Sequence, residues 1–202
     1  TRELFTLKEL EELFDIGKLN KAPGVFDYQK LEWFNGMYIR SKSREELAAL
    51  IAPFMKQAGL PGDDDKTLQG IAGLVQERVK VLSEVPGMVR FIYEEPPAPA
   101  AEDLLPKKGD PAAVLNGLRR LEALLPELAS AEPADAAEAR LRALAEELGV
   151  KLGDLLMPLR VAVTGSKVSP PLVESIRVMG VETARRRAAR AIAILEKNET
   201  RS

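Results

Sequence analysis

Residues 160–172 read RVAVTGSKVSPPL and gather the side chains of this sequence best suited to recognition chemistry. Arg160 and Lys167 are cations, Thr164, Ser166 and Ser169 carry hydroxyls that donate and accept, and Pro170, Pro171 and Leu172 offer a flat apolar surface. Gly165 suits a helix C-cap, Ser169 an N-cap and Pro170 the first helical position, where its missing N–H costs nothing. In that arrangement the free amides of the second helix and the serine hydroxyls come within range of the edges of unstacked bases, while the cations hold phosphates. Any capped helix–turn–helix connection shows the same local pattern, so the surrounding chain must decide between the two readings.

Catalytic alternatives are few. The sequence holds no histidine and no cysteine, which excludes disulfides, thiolate nucleophiles, histidine-based triads and the usual zinc sites. The acidic residues sit among helical polar positions, so no catalytic residue and no metal site is expected. The 202 residues, 46% of them hydrophobic, suffice for one or two domains with a real core. No apolar run long enough for a membrane span and no secretory leader is visible, and a cytoplasmic protein is expected. A first residue of Thr rather than Met points to a piece of something longer. Net charge is −2, yet residues 151–202 hold ten Lys and Arg against five Asp and Glu. A basic end on an acidic body fits one surface meeting a polyanion, or simply solvated arginines.

The elements that must position these residues read as helices throughout. Thr6 and Glu9 form a capping box ahead of Leu10, Leu13 and Phe14, and KAPGVFDYQK at 21–30 breaks that helix. Asp27 caps a second helix with Leu31, Phe34, Tyr38 and Ile39, and Ser43 with Glu46 starts a third that ends near Gly59–Gly62. Asp63, Asp64 and Asp65 precede a helix running through Ile71, Leu74, Val75 and Val79 to about Leu82. Pro86-Gly87 restarts the chain, and PPAPA at 96–100 is stiff and extended. Further helices are expected over 110–128, 133–149, 154–163, 169–179 and 181–195. No alternating strand pattern competes, so the fold class is all-α, with helical subdomains at 1–95 and 110–202 joined by a Pro-rich linker at 96–109. In the last helix Val181, Ala184, Ala188, Ile192 and Leu195 make the buried stripe, leaving most of Arg185, Arg186, Arg187 and Arg190 to face RNA or solvent. Trp33, Phe91 and Tyr93 read as packing residues. Arg78 and Arg142, taken alone, read as surface helical arginines, and Thr164 as a hydroxyl bonded back to a helix carbonyl.

Longer stretches carry a resemblance. LEELFDIGKLNKAPGVFDYQKLEWFNGMYIR at 10–40 is similar to the segment after the stem-contact region of bacterial glutamyl-tRNA synthetases, and PLRVAVTGSKVSPPLVESIRVMG at 158–180 resembles their anticodon-binding C-terminus. QERVKVLSEVPGMVRFIYE at 76–94 and LAEELGVKLGDLLMPLR at 144–160 resemble the same family. Where the family commonly has Trp-x-x-Glu, this chain has Glu132-Pro133-Ala134-Asp135. The two ATP-handling signatures of this class I family are missing. The resemblance therefore implies a helical array, or α-helix cage, that binds the anticodon of glutamate tRNA apart from the catalytic domain of the same polypeptide. ATP and Mg would bind in that domain and no cofactor here; neither membrane nor DNA is an expected partner. It further implies that Arg160, Thr164, Ser169, Pro170 and Leu172 meet the first two anticodon bases and nearby backbone, Arg142 the loop and Arg78 the third base. Lys167, Arg186 and Arg190 are candidate contacts to the RNA backbone. The alternative is a helical protein-interaction module whose basic C-terminal surface contacts an acidic partner.

Overall fold

The computed structural model describes residues 5–18, 25–107 and 109–199; the part of the expected break at 21–24 lies outside them. The all-α expectation holds: among the described residues there are ten α-helices and no strand, and no helix is long and apolar enough to cross a membrane. The caps expected at Thr6, Asp27 and Ser43 form, and of the three aspartates before the fourth helix Asp64 is the cap. Helix α1 (Leu7–Leu13) starts on the Thr6–Glu9 capping box, and α2 (Tyr28–Ser41) on Asp27, which accepts from the Gln29 and Lys30 amides. Helix α3 (Arg44–Gln57) starts on the Ser43–Glu46 box, and α4 (Asp65–Val75) on Asp64. Capping satisfies amides that the first turn of a helix leaves without partners.

The first two helices bury little. Helix α1 buries no residue and α2 only Gly36 and Ile39, so Leu7, Phe14, Phe26 and Tyr28 all stand exposed. Trp33, expected in packing, is instead 47% exposed and meets Phe34 edge-on at 5.1 Å. Leu31 and Tyr38 are exposed as well, because among the described residues nothing lies over that face of α2.

A first core joins α3 and α4 to α5 (Val85–Val89), filled by Leu47, Ile51, Met55, Ile71, Val75 and Val79. Helix α4 stops at Val75, short of the expected Leu82. The Gln76 side-chain amide donates to the carbonyls of Lys42 at 2.7 Å and Arg40 at 3.2 Å, satisfying the end of α2. The chain then tightens, with the Arg78 and Val79 amides both bonding the Val75 carbonyl, and Val79 enters the core from this turn. The apolar spacing continues through the turn, which is why it mimics a longer helix. Arg78 is left on the outside.

A second core is built by α6 (Pro111–Ser130), α7 (Ala134–Glu147), α8 (Leu152–Thr164), α9 (Leu172–Met179) and α10 (Val181–Glu199). Asp110 caps α6 with Pro111 in its first turn. Although the family's tryptophan is missing before α7, that helix packs through Ala137, Leu141, Leu144 and Ala145. Arg177 of α9 closes the other end of α6 by donating to the carbonyls of Leu128, Ala129 and Ala131. Helix α9 begins at Leu172, three residues later than expected: Pro171 is its N-cap position, and Ser169 is not the cap. Gly165 ends α8 as expected, left-handed at φ 73° with its amide on the Val161 carbonyl.

Packing and electrostatic contacts join the cores. Gly70 of α4 leaves no room for a side chain against Val178 of α9. Gly165 likewise lies against Pro96, where an added Cβ would come within 2.7 Å of the proline ring. The electrostatic contact corrects the expectation for the last helix. Arg187 is 2% exposed, Arg190 is half-buried, and with Arg186 they all converge on Glu95 at 2.9–3.1 Å. Arg185 pairs with Glu122. Buried Ala184, Ala188 and Ala191 place Arg187 within the stripe rather than outside it, since it follows Ala184 by three and precedes Ala191 by four. Burial by itself raises the Glu95 carboxyl; the bonds from Arg186 and Arg187 and the charges of Arg187 and Arg190 outweigh it and hold the group below the ordinary carboxylate range.

Two stability predictions follow from these contacts. Gly165→Ala strains a left-handed residue and presses on Pro96, and is expected to cost about 1–2 kcal/mol or more. Gly153→Ala, in open space near the start of α8, should be neutral or stabilising by up to about 1 kcal/mol; urea unfolding of both variants provides the comparison. Because the Glu95 pKa is lowered in the folded state, its contribution is present above the unfolded value of about 4.3 and is lost as pH falls through the folded value. Thermal melting between neutral pH and pH ~3 should therefore fall less steeply for Glu95→Gln than for the native chain.

Candidate nucleic-acid interface

The turn from 164 to 171 is held by its own side chains. The Thr164 hydroxyl donates to the Arg160 carbonyl at 2.8 Å and accepts from the Ser166 amide, and the Ser166 hydroxyl accepts from the Val168 amide. Ser169 accepts from the Arg160 guanidinium and donates to the Pro170 carbonyl, so its hydroxyl orients Arg160 instead of starting a helix. All three Arg160 bonds leave from one nitrogen, Nη1, to the Ser169 hydroxyl and the Ser169 and Pro170 carbonyls. Its Nε and Nη2 make no bond among the described residues, which leaves one two-pronged edge of the guanidinium uncommitted.

Arg160 is half-buried and has no carboxylate partner among the described residues. Burial lowers its pKa first, and the charge of Arg78 lowers it further, so the two arginines lie within electrostatic reach of each other. Arg78 comes from the turn after α4 and Arg160 from α8, so the fold brings together two residues 82 positions apart in the chain. Arg78 is exposed and makes no ion pair among the described residues.

The other residues singled out in the sequence are distributed over two cavities and several ion pairs. Arg160 and Leu172 line a cavity of about 210 Å³ between α7, α8 and α9, along with Glu138, the carboxylate that holds Arg142. Thr164, Ser166 and Ser169 line a second cavity of about 310 Å³, faced by Met88, Arg90 and Phe91 from the first half of the chain. Pro170 and Leu172 are buried, so they form no exposed platform; Leu172 belongs to the second core. Lys167 reaches Asp103 at 3.0 Å. Arg186 and Arg190, candidates for RNA backbone, are held by Glu95, which compensates much of the basic surface expected at the C-terminal end. Glu95 and Gln76 escape a sequence reading because their partners are distant in the chain; the spacing of Arg187 within the alanine stripe is the one signal that could have found it.

Residues 46–192 match the anticodon binding domain family. A glutamate–tRNA ligase from Treponema denticola is 41% identical over 95% of this chain and 42% of its own length. The one from Borreliella burgdorferi is 35% identical over 98% of this chain and 41% of its own. The chain thus spans about two fifths of the length of these curated relatives. The crystal structure of glutamate-tRNA synthetase from Elizabethkingia anophelis shares the fold, with a TM-score of 0.70 at 23% identity, covering 95% of this chain and 37% of that one. With most of its length matched by the family and its two helical cores matched by a solved relative, the chain belongs to the anticodon binding domain family.

Proposed function

We propose that this chain is the anticodon-reading part of a glutamate–tRNA ligase. It binds the anticodon stem-loop of glutamate tRNA in the cytoplasm and so selects the molecule that a catalytic domain of the same polypeptide charges with glutamate. The observation that carries the reading is that Arg160 of the second core has the charge of Arg78, from the turn after α4, within electrostatic reach, while neither makes an ion pair among the described residues. Like charges so placed raise each other's energy, and an anionic ligand with acceptor edges lowers it. Most other arginines of the C-terminal half are already paired, including Arg119, Arg120, Arg140 and Arg185. ATP and Mg would bind in that catalytic domain. The exposed apolar side chains of α1 and α2 suit contact with that domain.

Glutamate and glutamine anticodons differ only at the third base, cytosine against guanine. Beside its N4 amino donor the pairing edge of cytosine offers N3 and O2 as adjacent acceptors, whereas the matching part of the guanine edge, beside O6, presents N1–H and N2–H donors that would confront the donor-only Arg78. Attraction to one base and rejection of the other then act together.

Binding of the native chain to an anticodon stem-loop should be weak and should fall steeply with salt. Arg78→Gln should narrow the preference between loops identical except for C or G at the third base more than it lowers affinity; equal loss for both loops would contradict the assignment. Arg160→Lys keeps a donor for Ser169 but loses the fork, and should stay folded while binding weakens by about 1–3 kcal/mol. Fluorescence anisotropy at one salt concentration measures both variants.

A further inference from the structure

Arg187 makes no hydrogen bond to Arg78 or Arg160, yet it joins the segments that carry them. Its Nη1 donates to the carbonyls of Phe91 at 2.8 Å and Val163 at 2.6 Å, its Nη2 to the Glu94 carbonyl at 2.9 Å, and its Nε to the Glu95 carboxylate at 3.1 Å. Four of its five N–H groups are thus engaged, and the guanidinium is almost wholly enclosed. A buried cation with one partner removed is strongly destabilised, so these four bonds hold the two segments firmly against each other. Phe91, Glu94 and Glu95 follow the first core, which carries the Arg78 turn. Val163 lies in the last turn of α8, next to Thr164 and three residues past Arg160. The Val163 carbonyl is also among those that a helix C-terminus leaves without an intrahelical partner, which makes it a natural acceptor for a cation.

We infer that Arg187 is a positioning residue for base discrimination: by fixing the Val163 carbonyl against the Phe91 and Glu94 carbonyls, it sets the placement of Arg160 relative to Arg78 without contacting RNA. The inference rests on the anticodon-reading function proposed above. Each side of the junction has its own apolar core, including Ile51, Ile71 and Val79 on one side and Leu121, Leu144 and Ala188 on the other. Loosening the clamp therefore alters the relation between the cores before it unfolds either one. Arg190 reinforces the attachment by donating to the Pro96 carbonyl at 3.0 Å. A lysine at 187 preserves the charge, but one ammonium cannot serve four acceptors on two segments.

The test measures affinities of the full chain for two anticodon stem-loop RNAs that differ only by C or G at the third base. The native chain should prefer the cytosine loop by about tenfold or more, and Arg187→Lys should reduce that ratio to about twofold while its affinity for the cytosine loop falls by less than about threefold. In the double variant with Arg78→Gln the ratio should fall no further than in Arg78→Gln alone, because both changes act on one interaction. A merely structural role predicts equal weakening toward both loops and additive effects, and either result overturns the inference. If Arg187→Lys fails to give native circular dichroism, Glu95→Gln takes its place, since it loosens the shared anchor and leaves the three carbonyl bonds. A native ratio in that variant also overturns the inference. A native chain that binds neither loop, or shows no preference, overturns the anticodon reading and this inference with it; a discriminating native chain with an equally discriminating Arg187→Lys overturns this inference alone.

Discussion

A guanidinium with 2% of its surface exposed must find its partners inside the protein, and Arg187 finds them on segments from both sides of a junction. The remainder of the interface depends on this constraint. The last turn of α8 is tied to the end of the first core, and the short turn that begins at Thr164 inherits its position from that tie. Gly165 against the Pro96 ring and Gly70 against the Val178 side chain bring the same two bodies together by packing, with no room for a side chain on either glycine. Packing supplies proximity, while the hydrogen bonds of Arg187 add direction.

The distribution of paired and unpaired charge gives the arrangement its chemistry. Glu95 collects Arg186, Arg187 and Arg190, and Glu122 holds Arg185, so a strongly basic helix is used largely for internal attachment. Arg160 is treated differently: Ser169 and Pro170 orient it through one nitrogen and leave its other edge uncommitted. Arg78, brought close from the other core, lowers the pKa of Arg160 after burial has done so. Oriented cations lacking carboxylate partners, at a junction lined by hydroxyl-bearing turns, fit a ligand that combines phosphates with hydrogen-bonding base edges.

How much of this is legible in the sequence depends on the reach of each interaction. The Thr6, Asp27, Ser43 and Asp64 caps join residues two or three apart, and local spacing suffices to place them. The polar turn after α8 is legible for the same reason, through Gly165. The end of α4 is not, because Gln76 finds its acceptors more than thirty residues upstream while the apolar spacing runs on without interruption. The start of α9 is misplaced because a Ser-Pro pair has the signature of a cap, whereas Ser169 is occupied by Arg160 from the preceding helix. Arg187 is a harder case: its position in the stripe is legible, but a charged residue there looks solvent-facing until Glu95 and three carbonyls are brought to it by the fold. The residues implied by resemblance are not equally exposed, with Arg78 outside and Leu172 in the core.

In the proposed complex one RNA is held simultaneously by arginines from both cores. Side-chain NMR of the Arg Nε–Hε groups during titration with a glutamate anticodon stem-loop tests it most directly. Arg78 and Arg160 signals should change together along one binding curve, with the enclosed Arg187 signal retaining its protection. Changes confined to one core, or a response centred on the exposed apolar face of α1 and α2 while both arginines stay unperturbed, would contradict it.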